Sequence, residues 1–180
     1  AIRGDNKDKV VQFILPISIP ADTDVALVKF VPGNETILHH CNPIIYAVPD
    51  SGTYNLKYAT YLEPALESEK PFTHFQMKEL LYYGGWLPGS SPMTFPDSVG
   101  FRLPKNSLLA LIMHYAPSPK EAVDQSSIYI YFAPKVVTKQ LYFDNIGTLG
   151  GLAEPFPPLV IPADSVKDFE VRYRAETDML

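Results

Sequence analysis

Four histidines occur in the 180-residue chain, and three of them sit in apolar, strand-like runs. His39 and His40 are neighbours at the centre of Glu35-Thr-Ile-Leu-His-His-Cys-Asn-Pro-Ile-Ile-Tyr-Ala-Val48. His114 lies far along the chain in Ser107-Leu-Leu-Ala-Leu-Ile-Met-His-Tyr115. A neutral imidazole offers one lone pair to a metal, and three of them make a ligand set that suits copper or zinc. Taken singly, a buried histidine is by default a hydrogen-bonded core residue. The doublet with its distant third member is the pattern that points to a site.

Other reactive side chains have blander readings. His74, in Phe72-Thr-His-Phe75, has no partner in any pattern and reads as a surface or internally satisfied histidine. Cys41 is the only cysteine, which rules out an internal disulfide and a cysteine-based zinc site and makes it a small buried hydrophobe. Met113 would point away from His114 on a regular strand, so packing is its default role. Trp86 and the tyrosines are expected to fill the core and its rim. There is no Gly-x-Ser-x-Gly, so serine hydrolase chemistry has no support, and there is no phosphate-binding glycine loop.

The elements that carry the histidines impose a condition. Successive side chains on a regular strand point to opposite faces, so His39 and His40 serve one site only if the backbone bulges there. Strands are expected at Val10–Leu15, closed by Pro16, and at Val25–Val31, ended by Pro32-Gly33-Asn34. That turn would feed into the histidine strand and make an antiparallel hairpin. Asn42-Pro43 is expected to break ladder pairing, as on an edge or bulged strand. Residues 49–71 read as irregular, Phe72–Trp86 as strand with a competing helical phase at Gln76–Leu81, and Trp86–Pro96 as a turn-rich loop. Gly100–Leu103 and Ser107–Tyr115 would be joined by Pro104-Lys105-Asn106, with Asn106 suited to a left-handed conformation. Ser127–Ala133 and Val136–Tyr142 read as further strands. After Gly147 comes a linker-like stretch, and Phe169–Ala175 alternates as a half-buried strand does.

Composition narrows the class. A hydrophobic fraction of 46% and a charged fraction of 19% are globular values, and the length suffices to bury roughly 70% of the unfolded surface. Eighteen prolines among 11 tyrosines and 10 phenylalanines fit an all-β sandwich with irregular loops. With a net charge of −5 and no basic run, nucleic acid and anionic membrane are poor partners. Pro, Asp or Lys interrupts each apolar segment before membrane-spanning length, and the polar start Ala1-Ile-Arg-Gly-Asp5 is no signal peptide.

Phe30-Val-Pro-Gly-Asn34, Ile37-Leu-His-His40, Gly84-Gly-Trp-Leu-Pro-Gly-Ser-Ser-Pro92, Gly100-Phe-Arg-Leu-Pro-Lys-Asn-Ser107 and His114-Tyr115 follow one another in an order that resembles a known family. It is that of the N-terminal domain of the copper type II, ascorbate-dependent monooxygenases, the peptidylglycine and dopamine β-hydroxylase family, and above all its bacterial secreted relatives. The similarity covers most of residues 10–135. It implies an antiparallel jelly-roll β-sandwich over residues 1–147, with 148–180 as linker and first strand of a truncated second domain. It further implies that His39, His40 and His114 hold the electron-transfer copper, that ascorbate or another donor reduces it, and that the protein is secreted or periplasmic. The family's second domain binds another copper through His-x-His and a methionine and hydroxylates substrate there. No histidine follows His114, so that domain is expected beyond Leu180, no catalytic residue is expected within the chain, and the chain alone would not hydroxylate. A fused redox domain served as an electron relay, or a non-catalytic binding or structural module, are the alternatives.

Overall fold

The computed structural model describes residues 1–48, 60–62, 80–143 and 155–175. Two compact units make up the chain, Ala1–Tyr142 and Phe143–Leu180. Among the described residues the first unit holds nine strands: β1 Lys9–Ser18, β2 Thr23–Val31, β3 Leu38–Ala47, β4 Thr60–Leu62, β5 Leu80–Tyr83, β6 Val99–Leu103, β7 Asn106–Tyr115, β8 Ser127–Phe132 and β9 Lys139–Gln140. They form a five-stranded sheet in the order β4-β1-β7-β3-β5 and a four-stranded sheet in the order β8-β2-β6-β9. All pairings are antiparallel except β6 with β9. The fold is all-β and sandwich-like, and among the described residues there is no helix.

The β-branched and aromatic residues of these runs form strands because each has a surface to bury against. Val25, Val28 and Phe30 of β2, Phe101 and Leu103 of β6, and Leu109, Leu111 and Met113 of β7 are all buried. Rings bridge the two sheets, with Tyr82 of β5 stacked on Phe101 of β6 at 5.5 Å between centroids. Phe30 of β2 meets Trp86 at 5.7 Å.

Several expectations from sequence are corrected here. β2 and β3 are not a hairpin, because they belong to different sheets. The connection Pro32–Ile37 carries the chain across the sandwich. Its Gly33 passes so near Gln125 that an added Cβ would lie 2.4 Å from that residue's backbone carbon. Asn34 then closes a side-chain turn, accepting from the Thr36 amide at 3.2 Å. β6 and β7 are likewise split between sheets, and Asn106 is a strand residue that is not left-handed.

Neither proline ends its strand. Beyond Ile14, β1 pairs only with β7 among the described residues, so Pro16 sits where a missing N–H disturbs least. Pro43 accepts from the Gly84 amide at 2.9 Å, which places its nitrogen on that side of β3 and leaves the β7 ladder intact. Only Lys139–Gln140 of the expected strand Val136–Tyr142 pairs. Of Phe72–Trp86, Leu80–Tyr83 is strand, so the expected helical phase Gln76–Leu81 ends in strand at Leu80 and Leu81, while its first four residues, 76–79, and most of the irregular stretch 49–71 lie outside the described residues.

In the second unit Phe156 and Glu170 exchange backbone hydrogen bonds of 2.7 and 2.9 Å. Phe169–Ala175 forms no continuous strand. That bridge is its only ladder pairing among the described residues, and alternation without a partner strand leaves Val171 and Tyr173 exposed.

Candidate metal centre

The register of β3 against β7 assembles the site. Leu38 pairs with Tyr115 and His40 with His114, so two steps on β3 answer one step on β7. The extra residue is His39, and the pairing is bulged there. Cross-strand partners share a face, which puts His40 and His114 together. The inserted residue breaks the alternation that would have sent His39 to the other side. The condition that the adjacent histidines set in the sequence is met by this backbone.

The three rings converge. His39 Nδ1 lies 3.2 Å from His40 Nδ1 and 3.2 Å from His114 Nδ1. Ring centroids are 5.0 to 5.3 Å apart, and the planes stand edge to face at 64° to 80°. One ligand nitrogen from each histidine lies within 4.8 Å of the other two. Metal–imidazole bonds of about 2.0–2.1 Å in tetrahedral geometry put ligand nitrogens ~3.3 Å apart, close to the spacing seen. With Nδ1 unprotonated on each ring, three lone pairs would meet at one point, and a cation there would turn their repulsion into coordination. The donor set therefore fits copper or zinc, with one position left open. Among the described residues this is the one convergent group of three or more His, Cys, Asp and Glu side chains.

The surroundings of His40 favour its neutral, ligating form. Burial and the two neighbouring imidazoles hold His40 below the ordinary histidine value. His39 is exposed and His114 half-buried, so the open side of the cluster faces solvent. His114 Nε2 donates to Asp8 Oδ1 at 2.9 Å. Metal-bound histidines usually pass their second ring N–H to a carboxylate or carbonyl. Asp8 fills that place, and nothing in the polar segment before β1 marks it in the sequence.

The remaining candidates fall elsewhere. Cys41 pairs with Met113 on the opposite face and is fully buried, and burial with the nearby Asp124 carboxylate pushes its thiol up to about 12. Its backbone exchanges hydrogen bonds of 3.0 and 2.8 Å with Trp86. Met113 is buried with its sulfur 3.6 Å from the Tyr115 hydroxyl, which donates to Asp124 at 2.8 Å. Trp86 is buried in the core as expected. His74 lies outside the described residues. Among those described, no helix is long and apolar enough to cross a membrane. No protein-family model, curated protein or solved structure matches the chain.

Proposed function

We propose that the chain binds one copper ion through the Nδ1 atoms of His39, His40 and His114 and serves as the electron-transfer half of a copper-dependent monooxygenase-like protein. The convergence of three imidazole nitrogens across a bulge placed at His39 carries this reading. Bound copper would supply one-electron redox chemistry, since imidazole is acceptable to both its +1 and +2 states. The protein's own part is to hold three neutral rings in place, keep one side open to a reductant such as ascorbate, and keep the thiol of Cys41 away. The described residues offer no second convergent donor group. By the family resemblance, oxygen activation and hydroxylation are assigned to a second copper-binding domain. The reading includes the jelly-roll connectivity and the secreted or periplasmic location that the family resemblance implies.

Copper titration followed by electron paramagnetic resonance tests it. One equivalent of Cu(II) should give a single type 2 signal with nitrogen coupling. Ascorbate should bleach it, and it should be lost in His39→Ala and in His114→Ala. A second reading rests on the same donor set, which accepts zinc as readily: a zinc-loaded binding or structural module. Exclusive zinc retention, with copper failing to displace it or to cycle, would select that module and overturn the redox reading.

A further inference from the structure

Residues 1–8 look like a disposable lead-in, yet they are fastened along the loop that leaves β7. Ile2 and Ala122 exchange backbone hydrogen bonds of 2.7 and 3.0 Å, and the Asn6 amide donates to Ser118 at 3.0 Å. Gly4 lies so close to this loop that an added Cβ would stand 2.3 Å from the Lys120 carbonyl carbon. Asn6 takes a left-handed φ of 55°, and Asp5 ties the next turn by accepting from the Lys7 amide at 3.2 Å. The segment ends on Asp8, whose carboxylate receives the His114 Nε2 proton at 2.9 Å. Loop 116–122 begins just after His114. The strap is thus pinned to the ligand from both sides, by backbone through the loop and by carboxylate at the ring.

We infer that Asp8 is a positioning residue of the metal centre, and that the N-terminal strap exists to hold it. A carboxylate that accepts from Nε2 fixes the proton on that nitrogen. It leaves the Nδ1 lone pair aimed at the point where His39 and His40 also aim. The negative charge also raises the ring's strength as a donor to a cation. This inference rests on the reading of the three histidines as metal ligands and adds to it the element that orients one of them.

Two measurements on Asp8→Ala and Asp8→Asn decide the matter. In the metal-free protein, the His114 Nε2 proton should appear in the NMR spectrum as a slowly exchanging, downfield signal, lost in Asp8→Ala. It should be kept in part by Asp8→Asn, whose amide oxygen still accepts. Copper affinity, measured by competition with a chromogenic chelator, should fall roughly 10- to 100-fold in Asp8→Ala, less in Asp8→Asn, with altered paramagnetic resonance parameters. Asp8 is exposed, so both variants are expected to fold, which circular dichroism checks. Wild-type affinity and spectra in Asp8→Ala would overturn the inference while leaving the metal site intact. Failure of the wild-type chain to take up copper would instead sink the functional reading, and the NMR experiment would still judge Asp8.

Discussion

The β3–β7 ladder has two faces one residue apart, and they have opposite chemistry. On one side Leu38, Cys41, Met113 and Tyr115 are all buried. On the other, His40 and His114 sit at the open end of a face that further along buries Ile44, Tyr46 and Ala110. The same strand pair therefore builds core on both sides except at the histidine end. The difference teaches that register decides which side chains of this ladder reach the histidine cluster. A thiol and a thioether stand next to two of the imidazoles in sequence and are turned into the core by alternation alone. The one departure from alternation, at His39, brings a third imidazole to the open face instead.

Deleting His39 should sharpen this contrast most. The deletion leaves Leu38 opposite Tyr115 and His40 opposite His114 as consecutive pairs, a regular ladder with in–out–in alternation intact. The sheet should survive, since a bulge leaves a residue unpaired and its removal restores the ladder. Metal affinity should fall by more than the ~10–100-fold typical of losing an outer partner, because a ligand is gone. Calorimetric titration with a thermal melt reads both quantities. Unfolding of the deletion variant would mean that the bulge belongs to the fold rather than to the site.

The buried face should answer in stability rather than in binding. Met113→Ala removes a side chain that is 3% exposed and leaves a cavity beneath His114, at a cost of ~2–5 kcal/mol. Denaturant unfolding of the metal-free protein measures it. Copper stoichiometry should stay at one per chain. If metal uptake is lost while the fold survives, the two faces are energetically coupled.

Much of this was legible beforehand, and the exceptions share a cause. Runs such as Val25–Val31 and Ser107–Tyr115 declare strands by their β-branched and apolar content, and the histidine doublet already demanded a bulge. What local pattern lacks is information about partners. Pro32-Gly33-Asn34 has the residues of a hairpin turn, yet it crosses between sheets, because β3 finds its neighbours in β7 and β5. Phe169–Ala175 alternates, yet only Glu170 has a bridge among the described residues. Pro43 has the look of a ladder breaker because sequence does not say which side of the strand its nitrogen faces. Asp8 meets His114 across 106 residues, a contact that neither segment announces.

The smallest expected effect is a titration that sets the two faces side by side. Desolvation favours the neutral form of any group, and on this ladder it moves two neighbours in opposite directions. It pushes the Cys41 thiol up to about 12 and holds His40 below its ordinary 6.5. Neutral imidazole is the form that binds metal, whereas neutral thiol is the form that does not, so one physical cause supports the histidine and disables the cysteine. Proton uptake by His40 is linked to unfolding. The unfolded chain takes up its proton first as pH falls below about 6.5, so its contribution to stability is full above that value. The contribution declines as pH drops toward the depressed folded value. The decline should be shallow because the ring is only half-buried, and melts of the metal-free protein between pH 7.5 and 5, on the order of the ordinary histidine range, would reveal it. His40→Asn should flatten that slope. At pH 8, on the order of an ordinary thiol's pKa, Cys41 should resist an alkylating reagent until denaturant unfolds the chain. Rapid alkylation of the folded protein would show that the thiol reaches solvent, and the contrast between the faces would fail at its sharpest point.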